Sequence, residues 1–382
     1  MASQKPSILL LGTQMEMAGA QRVLFFLAEY LYAQGFAVQV AFFYDKQSLA
    51  AKWQSEHPFP VVSLGGWRPG GFIFANLLRF VAGLWRLLAV LRGKGAIVTY
   101  TPHSNLLGLP IAWLAGVKVR LGTHHSGLEG SSPLLDRVHG WLTNSWLCTR
   151  MVCVSNAVRS GALRHEGAQA HKLVVIENGI VPVVAQPLSA AERARLRASV
   201  GAGEQQTLCL TVGRLTVQKG HSYLLDAIAQ TTQPELVFAF VGHGPLDAEL
   251  RAKAQHLGIA SRVHFVGVRS DVAQWLSVAD VFVQPSLWEG MSLALLEAMF
   301  AGLPIVATRI PATAEVLAHE NTGLLVDPEQ PQAMAQALDR IAADAALRQR
   351  LGQQAQRVAQ QQYTAAAMGT AYQQLIEKLW HG

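Results

Sequence analysis

The chain has 382 residues, of which 51% are hydrophobic and 15% are charged, enough apolar material for two hydrophobic cores. Its three cysteines form no C-x-x-C pair, which excludes a thiolate zinc site and fits a reducing cytoplasm. The formal net charge of +6 is uneven, because residues 1–180 carry 16 Lys+Arg against 8 Asp+Glu, whereas residues 181–382 carry 15 against 17. No nucleic-acid-binding motif accompanies the basic half, so it predicts contact with an anionic membrane surface or a lipid-phosphate acceptor, not with nucleic acid.

The first half of the chain alternates short apolar runs with helical stretches, a pattern that predicts a doubly wound parallel sheet. The first apolar run is too short to belong to a signal peptide, and we interpret it as a strand. The predicted strands are Ile8–Leu11, Ala37–Phe43, Ala96–Tyr100, Val117–Gly122 and Arg150–Val154. The predicted helices are Gln21–Gln34, Phe72–Leu91, Leu106–Ala115, Leu134–Trp146 and Ala157–Arg164.

The second half repeats this alternation after a linker, residues 177–187, that is rich in turn residues and proline. Two domains are therefore expected. The predicted strands of the second half lie near Thr207, Leu236, Val263, Val281, Ile305 and Leu324. An Ala- and Gln-rich stretch from Gln330 to Gln362 is predicted to be helical.

The segment Phe72–Arg92 is apolar except for one narrow stripe of small and polar residues. Asn76, Arg79, Gly83 and Arg86 recur at steps of three and four residues, which aligns them along one side of a helix. Two arginines inside the apolar stretch argue against a bilayer span. We predict a helix that lies in a membrane interface with its arginines toward lipid phosphates. The alternative is a helix that only packs between the sheet and its neighbours.

Two glutamates lie eight residues apart around the start of a predicted helix in the segment Ser286–Met299. At 100° per residue they do not share a helix face: Glu289 lies in the entry loop and Glu297 two turns into the helix. Such a pair can hold two parts of a hydroxyl-rich ligand, while the N–H groups of the first turn are free to meet an anion. These features together predict a nucleotide-sugar site, and the alternative is a surface helix that happens to carry two glutamates.

Two cations lie at an earlier junction between a buried strand, Thr207–Val212, and a helix that begins at His221. The intervening residues, 213–220, read GRLTVQKG. Ligands of open α/β sheets bind beyond the carboxyl ends of the strands. The donor fork of Arg214 and the compact charge of Lys219 suit a diphosphate, and the alternative is an ordinary turn with two solvated cations.

These two segments, GRLxxxKG and S-x-x-E-G-x-x-L-x-x-L-E-A-M, resemble motifs of the retaining glycosyltransferases of family 4. Further matches occur at residues 178–180 (NGI), 241–245 (VGHGP) and 265–267 (FVG), so the resemblance covers nearly the whole chain. It implies an α/β GT-B fold with two doubly wound, Rossmann-like domains facing a central cleft. The implied domains are residues 1–178 for the acceptor, residues 179–365 for the nucleotide sugar, and a helix at residues 366–382 that packs back toward the first domain.

The resemblance also implies roles for individual residues. Glu297 would hold the ribose hydroxyls, and Glu289 would act as a catalytic residue near the donor sugar, where its charge steadies positive charge developing at the anomeric carbon. The implied donor-binding residues are Gly19, Gly213, Arg214, Lys219, Gly242, Gly290, Met291, Ser292, Leu293 and Glu297. The family usually has two adjacent glycines and an acidic residue before the arginine that matches Arg22. This chain has AGAQ at residues 18–21, so its loop is less glycine-rich.

Histidines follow two predicted strands of the first half. The family carries a functional histidine in a strand-end loop that faces the donor sugar, and His124 and His125 both match it. We favour His125 as the catalytic residue because it directly precedes small residues, and the alternative is that both only form hydrogen bonds within the loop. His103 is predicted on the acceptor side, together with Arg79 and Arg86.

No metal and no cofactor are predicted. The chain has neither D-x-D nor H-E-x-x-H, so charge on a leaving diphosphate would be met by Arg214, Lys219 and helix N–H groups. The resemblance implies retaining transfer, which we interpret as front-side displacement because no nucleophile stands out.

The predicted function is transfer of a hexose or N-acetylhexosamine from a nucleotide diphosphate sugar, with UDP as the expected carrier, to a lipid-linked or cell-envelope polysaccharide acceptor such as lipopolysaccharide. The predicted enzyme is cytoplasmic and peripheral on the inner face of the cell membrane. The alternatives are a non-catalytic sugar-nucleotide-binding relative and a GDP-mannose-type transferase that uses a soluble acceptor. A dinucleotide oxidoreductase is excluded, because no G-x-G-x-x-G follows the first strand.

Overall fold

The computed structural model describes residues 5–125, 132–182 and 188–382, which divide into two compact units. Unit 1 comprises residues 1–181 and 364–382, and unit 2 comprises residues 182–363. Each unit is a parallel sheet covered by helices, which confirms the predicted α/β class with two doubly wound domains.

Unit 1 has seven parallel strands among its described residues. They are β1 (Ile8–Met15), β2 (Val38–Asp45), β3 (Val61–Ser63), β4 (Ala96–Tyr100), β5 (Val119–His124), β6 (Arg150–Cys153) and β7 (Leu173–Val175). The strand order β3-β2-β1-β4-β5-β6-β7 reverses direction between β1 and β4. Ligands of doubly wound sheets bind beyond the carboxyl ends of the strands at such a switch point.

The crossover helices of unit 1 cover both faces of this sheet. They are α1 (Gly19–Ala33), α2 (Ala50–Glu56), α3 (Ile73–Leu91), α4 (Pro102–Leu114), α5 (Pro133–Asn144) and α6 (Asn156–Gly161). Crossovers between parallel strands are right-handed, and the chain moves toward β3 through its first two connections and toward β7 afterwards. Therefore α1 and α2 lie on one face of the sheet and α3 to α6 on the other, where α3 packs beside α4 and α4 beside α5.

Unit 2 has six parallel strands among its described residues, in the order β10-β9-β8-β11-β12-β13. The strands are β8 (Thr207–Val212), β9 (Leu236–Val241), β10 (Val263–Gly267), β11 (Val281–Gln284), β12 (Ile305–Thr308) and β13 (Leu324–Val326). The helices are α7 (Ala190–Ala198), α8 (His221–Gln230), α9 (Asp247–His256), α10 (Val272–Val278), α11 (Leu293–Phe300), α12 (Pro311–Val316), α13 (Pro331–Ala343) and α14 (Ala345–Gln362). The chain adds β9 and β10 on one side of β8 and then β11, β12 and β13 on the other side. The carboxyl ends of β8 and β11 therefore flank the second switch point.

The last helix, α15 (Ala365–His381), belongs to unit 1 and packs against α1. The chain re-enters unit 1 through a parallel bridge between Ile180 and Thr364, beside which the N–H of Ala365 donates to the carbonyl of Ile180 at 2.9 Å. A Cβ on Gly179 would lie 2.1 Å from the carbonyl oxygen of Thr364. The NGI motif therefore has a local structural reason, because only glycine permits this close approach.

The strands and helices predicted for the first half are found in unit 1, with short elements added. These additions are α2, β3 and β7, of which the two strands have three residues each and are too short to show a sequence period. The predicted helical tail divides into α13 and α14 at Asp344, whose side chain accepts a hydrogen bond from the N–H of Leu347 at 2.8 Å and so caps α14.

The orientation predicted for α3 is wrong. Asn76 and Gly83 of the polar stripe are buried and face the protein, while Arg79 is partly buried and Arg86 is exposed at its edge. The side chain of Asn76 bonds the backbone N–H and carbonyl of Arg68, each at 3.0 Å. The Nη1 of Arg86 donates to the carbonyl of Leu64 at 2.7 Å.

The loop that leads into α3 explains this orientation. Residues 64–71 cross the helix and present backbone groups that need hydrogen-bond partners, which Asn76 and Arg86 supply. Gly83 permits the crossing, because a Cβ there would lie 2.7 Å from the Cα of Gly66. The apolar side of α3 consequently points away from the protein.

Candidate active site

Glycines shape the turn that carries Arg214 and Lys219 in unit 2. Gly220 has φ +64°, and a Cβ on it would lie 1.9 Å from the carbonyl oxygen of Pro285, just after β11. Gly242, just after β9, has φ +140°, and a Cβ on it would lie 1.9 Å from the carbonyl oxygen of Gly213. Side chains at these two positions would separate the ends of β8, β9 and β11, so glycine here holds three strand ends together.

Lys219 and Glu289 form the centre of this site. The Nζ of Lys219 lies 2.5 Å from Oε1 of Glu289, and the glutamate side chain is only 8% exposed. The hydroxyl of Ser286 donates to the same oxygen at 2.7 Å. The Nε2 of Gln218 donates to the carbonyl of Trp288 at 3.0 Å and lies 3.4 Å from Oε2 of Glu289. The carboxylate is therefore held by three side chains from two separate loops.

Arg214 differs from Lys219 in being exposed. Within the part of the chain that the structure describes, its guanidinium has no hydrogen-bond or ion-pair partner. Five N–H donors are thus available at the carboxyl end of β8. An anion that binds here would gain a charge-assisted contact without breaking an existing ion pair.

The helix that follows Glu289 begins slightly later than predicted. The side chain of Ser292 accepts a hydrogen bond from the N–H of Leu295 at 3.3 Å, so α11 begins at Leu293 and Ser292 is its N-cap. Gly290 and Met291 are buried in the entry loop. Glu297 lies in the second turn of α11 and is partly buried. The two glutamates therefore occupy a loop and a helix body, the arrangement predicted from their spacing.

His221, the first residue of α8, was not singled out as a site residue from the sequence. Its side chain is 2% exposed, and burial together with the nearby charge of Lys219 lowers its pKa to about 3. A neutral imidazole next to Lys219 leaves the ammonium as the local positive charge.

The two histidines at the end of β5 in unit 1 have different surroundings. His124 is buried, and its Nε2 lies 3.0 Å from Oε2 of Glu166, whose other oxygen lies 3.1 Å from Nδ1 of His139. His125 is partly buried and stacks on Tyr100 with ring centroids 5.1 Å apart. Burial and the neighbouring His124 lower the pKa of His125 to about 3, so its imidazole is neutral at physiological pH.

The cluster of His124, His139 and Glu166 places three metal-ligand atoms within 4.8 Å of one another. Sequence spacing gives no indication of it, because its members come from three separate elements. Hydrogen bonds account for the whole arrangement. The amide of Asn105 donates to Nε2 of His139 at 2.9 Å. The proton of His139 is therefore on Nδ1, which donates it to Glu166. Although burial opposes ionisation, the hydrogen bonds from His124 and His139 prevail and lower the pKa of Glu166 to about 2.

The remaining predicted residues of unit 1 lie on three helices. Gly19 is the first residue of α1, after the loop that leaves β1. His103 is exposed in the first turn of α4, directly after Thr101, whose φ is +91°. On α3, Arg79 is partly buried with its Nη1 3.5 Å from Oδ1 of Asn76, and Arg86 is exposed with its Nη1 bonded to the carbonyl of Leu64. The four residues therefore come from three different helices.

Two supporting residues of the unit 2 site were missed by the sequence reasoning. Ser286 and Gln218 both bind Glu289, and both lie inside motifs quoted for other residues. Their positions in the sequence, close to Glu289 and Lys219, could have indicated that they belong to the site. The contact of Gln218 with Glu289 could not be predicted, because it joins segments about seventy residues apart, whereas Ser286 is only three residues from Glu289.

Two family descriptions together match most of the chain. The description "Glycosyltransferase Family 4" matches residues 17–183, and "Glycosyl transferases group 1" matches residues 192–358. The UDP-Gal:alpha-D-GlcNAc-diphosphoundecaprenol alpha-1,3-galactosyltransferase of Escherichia coli is 30% identical over 281 residues, which cover 71% of this chain and 72% of that protein. The lipopolysaccharide core biosynthesis glycosyltransferase LpsE of Rhizobium meliloti is 30% identical over 180 residues, 47% of this chain and 52% of that protein.

Solved structures share the fold over nearly the full length. Anabaena HepE in complex with UDP and glucose superposes with a TM-score of 0.86 at 22% identity, covering 98% of this chain and 100% of that one. Sucrose-phosphate synthase from Thermosynechococcus elongatus superposes with a TM-score of 0.82 at 23% identity, covering 99% and 100%. Two Rossmann-like sheets with these neighbours define the GT-B class. The chain belongs to glycosyltransferase family 4, and the protein is a glycosyltransferase.

Proposed function

We propose that this enzyme transfers a hexose or N-acetylhexosamine, with retention of configuration, from a UDP-sugar to a lipid-linked or cell-envelope polysaccharide acceptor. The observation that carries the proposal is the pairing of Lys219 with Glu289 at the carboxyl ends of β8 and β11, on the turn that also carries the exposed Arg214. Two cations and a buried carboxylate in one place suit a ligand that has both a diphosphate and sugar hydroxyls.

The donor is proposed from the substrate named for one relative and the ligands bound by one structural neighbour. The E. coli relative is named for a UDP-galactose donor, and the structural neighbour HepE has been solved with UDP and with UDP-glucose. In this chain Glu297 would bind the ribose hydroxyls, and the N–H groups at the start of α11 would meet the diphosphate. The donor-binding roles of Gly19, Gly213, Gly242 and the residues 290–293 belong to the same proposal.

Transfer without a divalent metal is proposed from the charges of the site. Lys219 and Arg214 would neutralise the departing diphosphate, and Glu289 would hold Lys219 in place while its own charge steadies the anomeric carbon. His125, neutral and stacked on Tyr100, would hydrogen-bond the donor sugar. In front-side displacement, the bond to the leaving phosphate oxygen breaks as the acceptor oxygen attacks from the same side, and that phosphate oxygen takes the acceptor's proton.

The acceptor is proposed to be anchored in a membrane. The E. coli relative is named for a diphosphoundecaprenol-linked sugar, and the R. meliloti relative for lipopolysaccharide core biosynthesis. The basic first half of this chain fits an anionic membrane surface, so we place the enzyme at the inner face of the cell membrane. His103 is proposed to lie on the acceptor side.

The test is a panel of UDP- and GDP-sugars in which nucleotide release is measured with purified enzyme, with and without EDTA. We expect one UDP-sugar to be turned over at the highest rate, with unchanged activity in EDTA. A preference for GDP-mannose would overturn the donor, and activity lost in EDTA but restored by magnesium or manganese would overturn the metal-free mechanism. Analysis of the anomeric configuration of the product checks retention.

A further inference from the structure

Helix α3 exposes a continuous apolar stripe on the side opposite its polar residues. Phe74, Leu78 and Trp85 are 80%, 74% and 67% exposed, and Leu77 and Val81 beside them are also exposed. These five residues lie within about 100° of one another around the helix axis, because steps of three, four and seven residues return to the same side. The helix has the length and apolar composition of a membrane-crossing segment, yet its polar stripe is used by the protein.

The exposed apolar surface continues onto the neighbouring helices of the same face. α4 ends in Trp113 and Leu114, which are both exposed. On α5 the exposed residues Leu134, Val138 and Trp141 recur at steps of four and three, which forms a second stripe. Because α3, α4 and α5 pack side by side on one face of the sheet, their outer sides form one layer. An apolar surface spread over three adjacent helices is larger than an isolated exposed side chain and indicates an interaction site.

The tryptophan content and the charge of this layer indicate which kind of partner it binds. Five of the nine tryptophans of the chain are exposed in or next to it, and tryptophan gathers at membrane–water interfaces. Residues 66–150, which include all three helices, carry nine Lys+Arg against two Asp+Glu. A second copy of the chain would bring these cations against one another, whereas an anionic leaflet would complement them.

We propose that the outer face of α3, α4 and α5, the helix layer, inserts its apolar side chains into the headgroup region of an anionic lipid bilayer. The orientation of α3 makes this an apolar insertion, with cations around the inserted residues, and not a docking through the arginines of the stripe. The inference deepens the proposed function and rests on it for the membrane-anchored acceptor, since an inserted layer would hold unit 1 at the depth where lipid-linked sugars begin.

The first test is flotation with vesicles of phosphatidylcholine and phosphatidylglycerol, at low salt and at about 1 M NaCl, where exposed charges are screened beyond about 3 Å. Wild-type protein should float at both salt concentrations. The triple variant Phe74→Gln/Leu78→Gln/Trp85→Gln should lose at least about a hundredfold in partitioning, because each large apolar side chain transferred from water contributes tenfold or more. The matched variant Phe74→Leu/Leu78→Met/Trp85→Phe, which remains apolar, should float like wild type.

The second test measures insertion directly and uses the fact that all three cysteines of the chain are buried. A Leu78→Cys variant labelled with an environment-sensitive fluorophore should show a blue shift on vesicles and quenching by brominated acyl chains. The same label on Lys52→Cys, on α2 at the opposite face of the sheet, should show neither.

Three results would overturn the inference. The first is that wild type does not float. The second is that flotation disappears at high salt and the triple glutamine variant behaves like wild type, and the third is that wild type does not bind vesicles but forms a dimer, seen by light scattering, that the triple variant abolishes. The donor panel with a soluble acceptor analogue separates this inference from the proposed function. A triple variant that keeps donor turnover but no longer floats supports the insertion, whereas loss of donor turnover in wild type would contradict only the proposed function.

Discussion

At the scale of single residues, the two cations of the site have unequal structural roles. Lys219 is paired with Glu289 and is one-fifth exposed, whereas Arg214 is exposed and unpaired among the residues described. Lys219 therefore stabilises the folded site as well as any bound anion, while Arg214 can act on the ligand alone. Ser286 adds a second donor to Glu289, so the carboxylate is fixed before any ligand arrives.

This difference predicts separable effects of two alanine substitutions. Arg214→Ala should lower kcat by roughly 10²–10³, the usual effect of removing a charged contact to developing charge, with an unchanged thermal midpoint. Lys219→Ala should lower kcat similarly and also destabilise the protein by about 1–3 kcal/mol, because it leaves Glu289 buried without its cation. The checks are steady-state kinetics and thermal unfolding of both variants.

The double variant Lys219→Ala/Glu289→Gln is the control for that prediction. It removes the unpaired charge and should recover part of the lost stability without recovering activity. Equal thermal midpoints for Arg214→Ala and Lys219→Ala would contradict the structural role assigned to Lys219. Wild-type turnover in both single variants would remove the proposed contact with the diphosphate.

The sequence predicted these residues but not their contacts. The helical repeat alone shows that Glu289 and Glu297 occupy different faces, because that depends only on local geometry. The ion pair between Lys219 and Glu289 joins residues seventy positions apart, and no local rule places them together. The same limit applies to His124, whose partners Glu166 and His139 come from distant elements.

At the scale of elements, the site depends on how closely three strand ends approach. Gly220 and Gly242 are equally close to a backbone oxygen, 1.9 Å from where a Cβ would lie, and Gly242 has the φ that L residues adopt less readily, +140° against +64°. Gly258, after α9, also has a positive φ, +70°, but nothing lies within 4 Å of its Cβ position. Gly258 therefore gives the cost of a left-handed backbone conformation alone, whereas Gly242 adds a less accessible φ and a close approach.

We expect Gly242→Ala to destabilise the protein by at least about 2 kcal/mol, and Gly258→Ala by about 1 kcal/mol, since only the former must also displace the backbone of Gly213. Gly242→Ala should in addition weaken UDP binding, whereas Gly258→Ala should leave it unchanged. Chemical denaturation and calorimetric titration with UDP measure both effects. Equal destabilisation by the two substitutions would show that the close approach at Gly242 is not a constraint.

Helix α3 shows what an element's pattern can and cannot predict. Its apolar face and polar stripe are readable from spacing, and so is its length. The pattern does not state which face packs inward: the buried residues are Asn76, Gly83, Leu87 and Leu91, so a mixed face packs inward and a large apolar face stays exposed. Asn76 and Arg86 bind the loop at residues 64–71, a partner that the local pattern of the helix does not contain.

At the scale of the whole molecule, alternation of strands and helices was enough to predict two doubly wound sheets, because each buried parallel strand reads as a continuous apolar run. The burial of particular histidines was not predictable in this way. Each unit contains one histidine whose pKa burial lowers to about 3, His125 in unit 1 and His221 in unit 2. Both imidazoles are neutral in the folded protein, and both would become protonated near pH 6.5 when unfolded.

This difference predicts that the protein loses stability as the pH falls below about 6.5. The unfolded chain then binds a proton at each of these histidines while the folded chain does not, so each contributes a slope of up to about 1.4 kcal/mol per pH unit. Glu166 has the opposite shift, and its stabilising effect is lost only as the pH falls toward about 2, so it does not contribute to the slope between pH 6.5 and 5.

His221→Gln, which cannot be protonated, should therefore flatten the decline of the free energy of unfolding by up to about 1.4 kcal/mol per pH unit, measured by urea denaturation across this range. His256→Gln, at an exposed position at the end of α9, is the matched control, because it replaces a histidine that is not buried. An identical slope in wild type and His221→Gln would mean that water reaches His221 in the folded protein and that its burial does not keep it neutral.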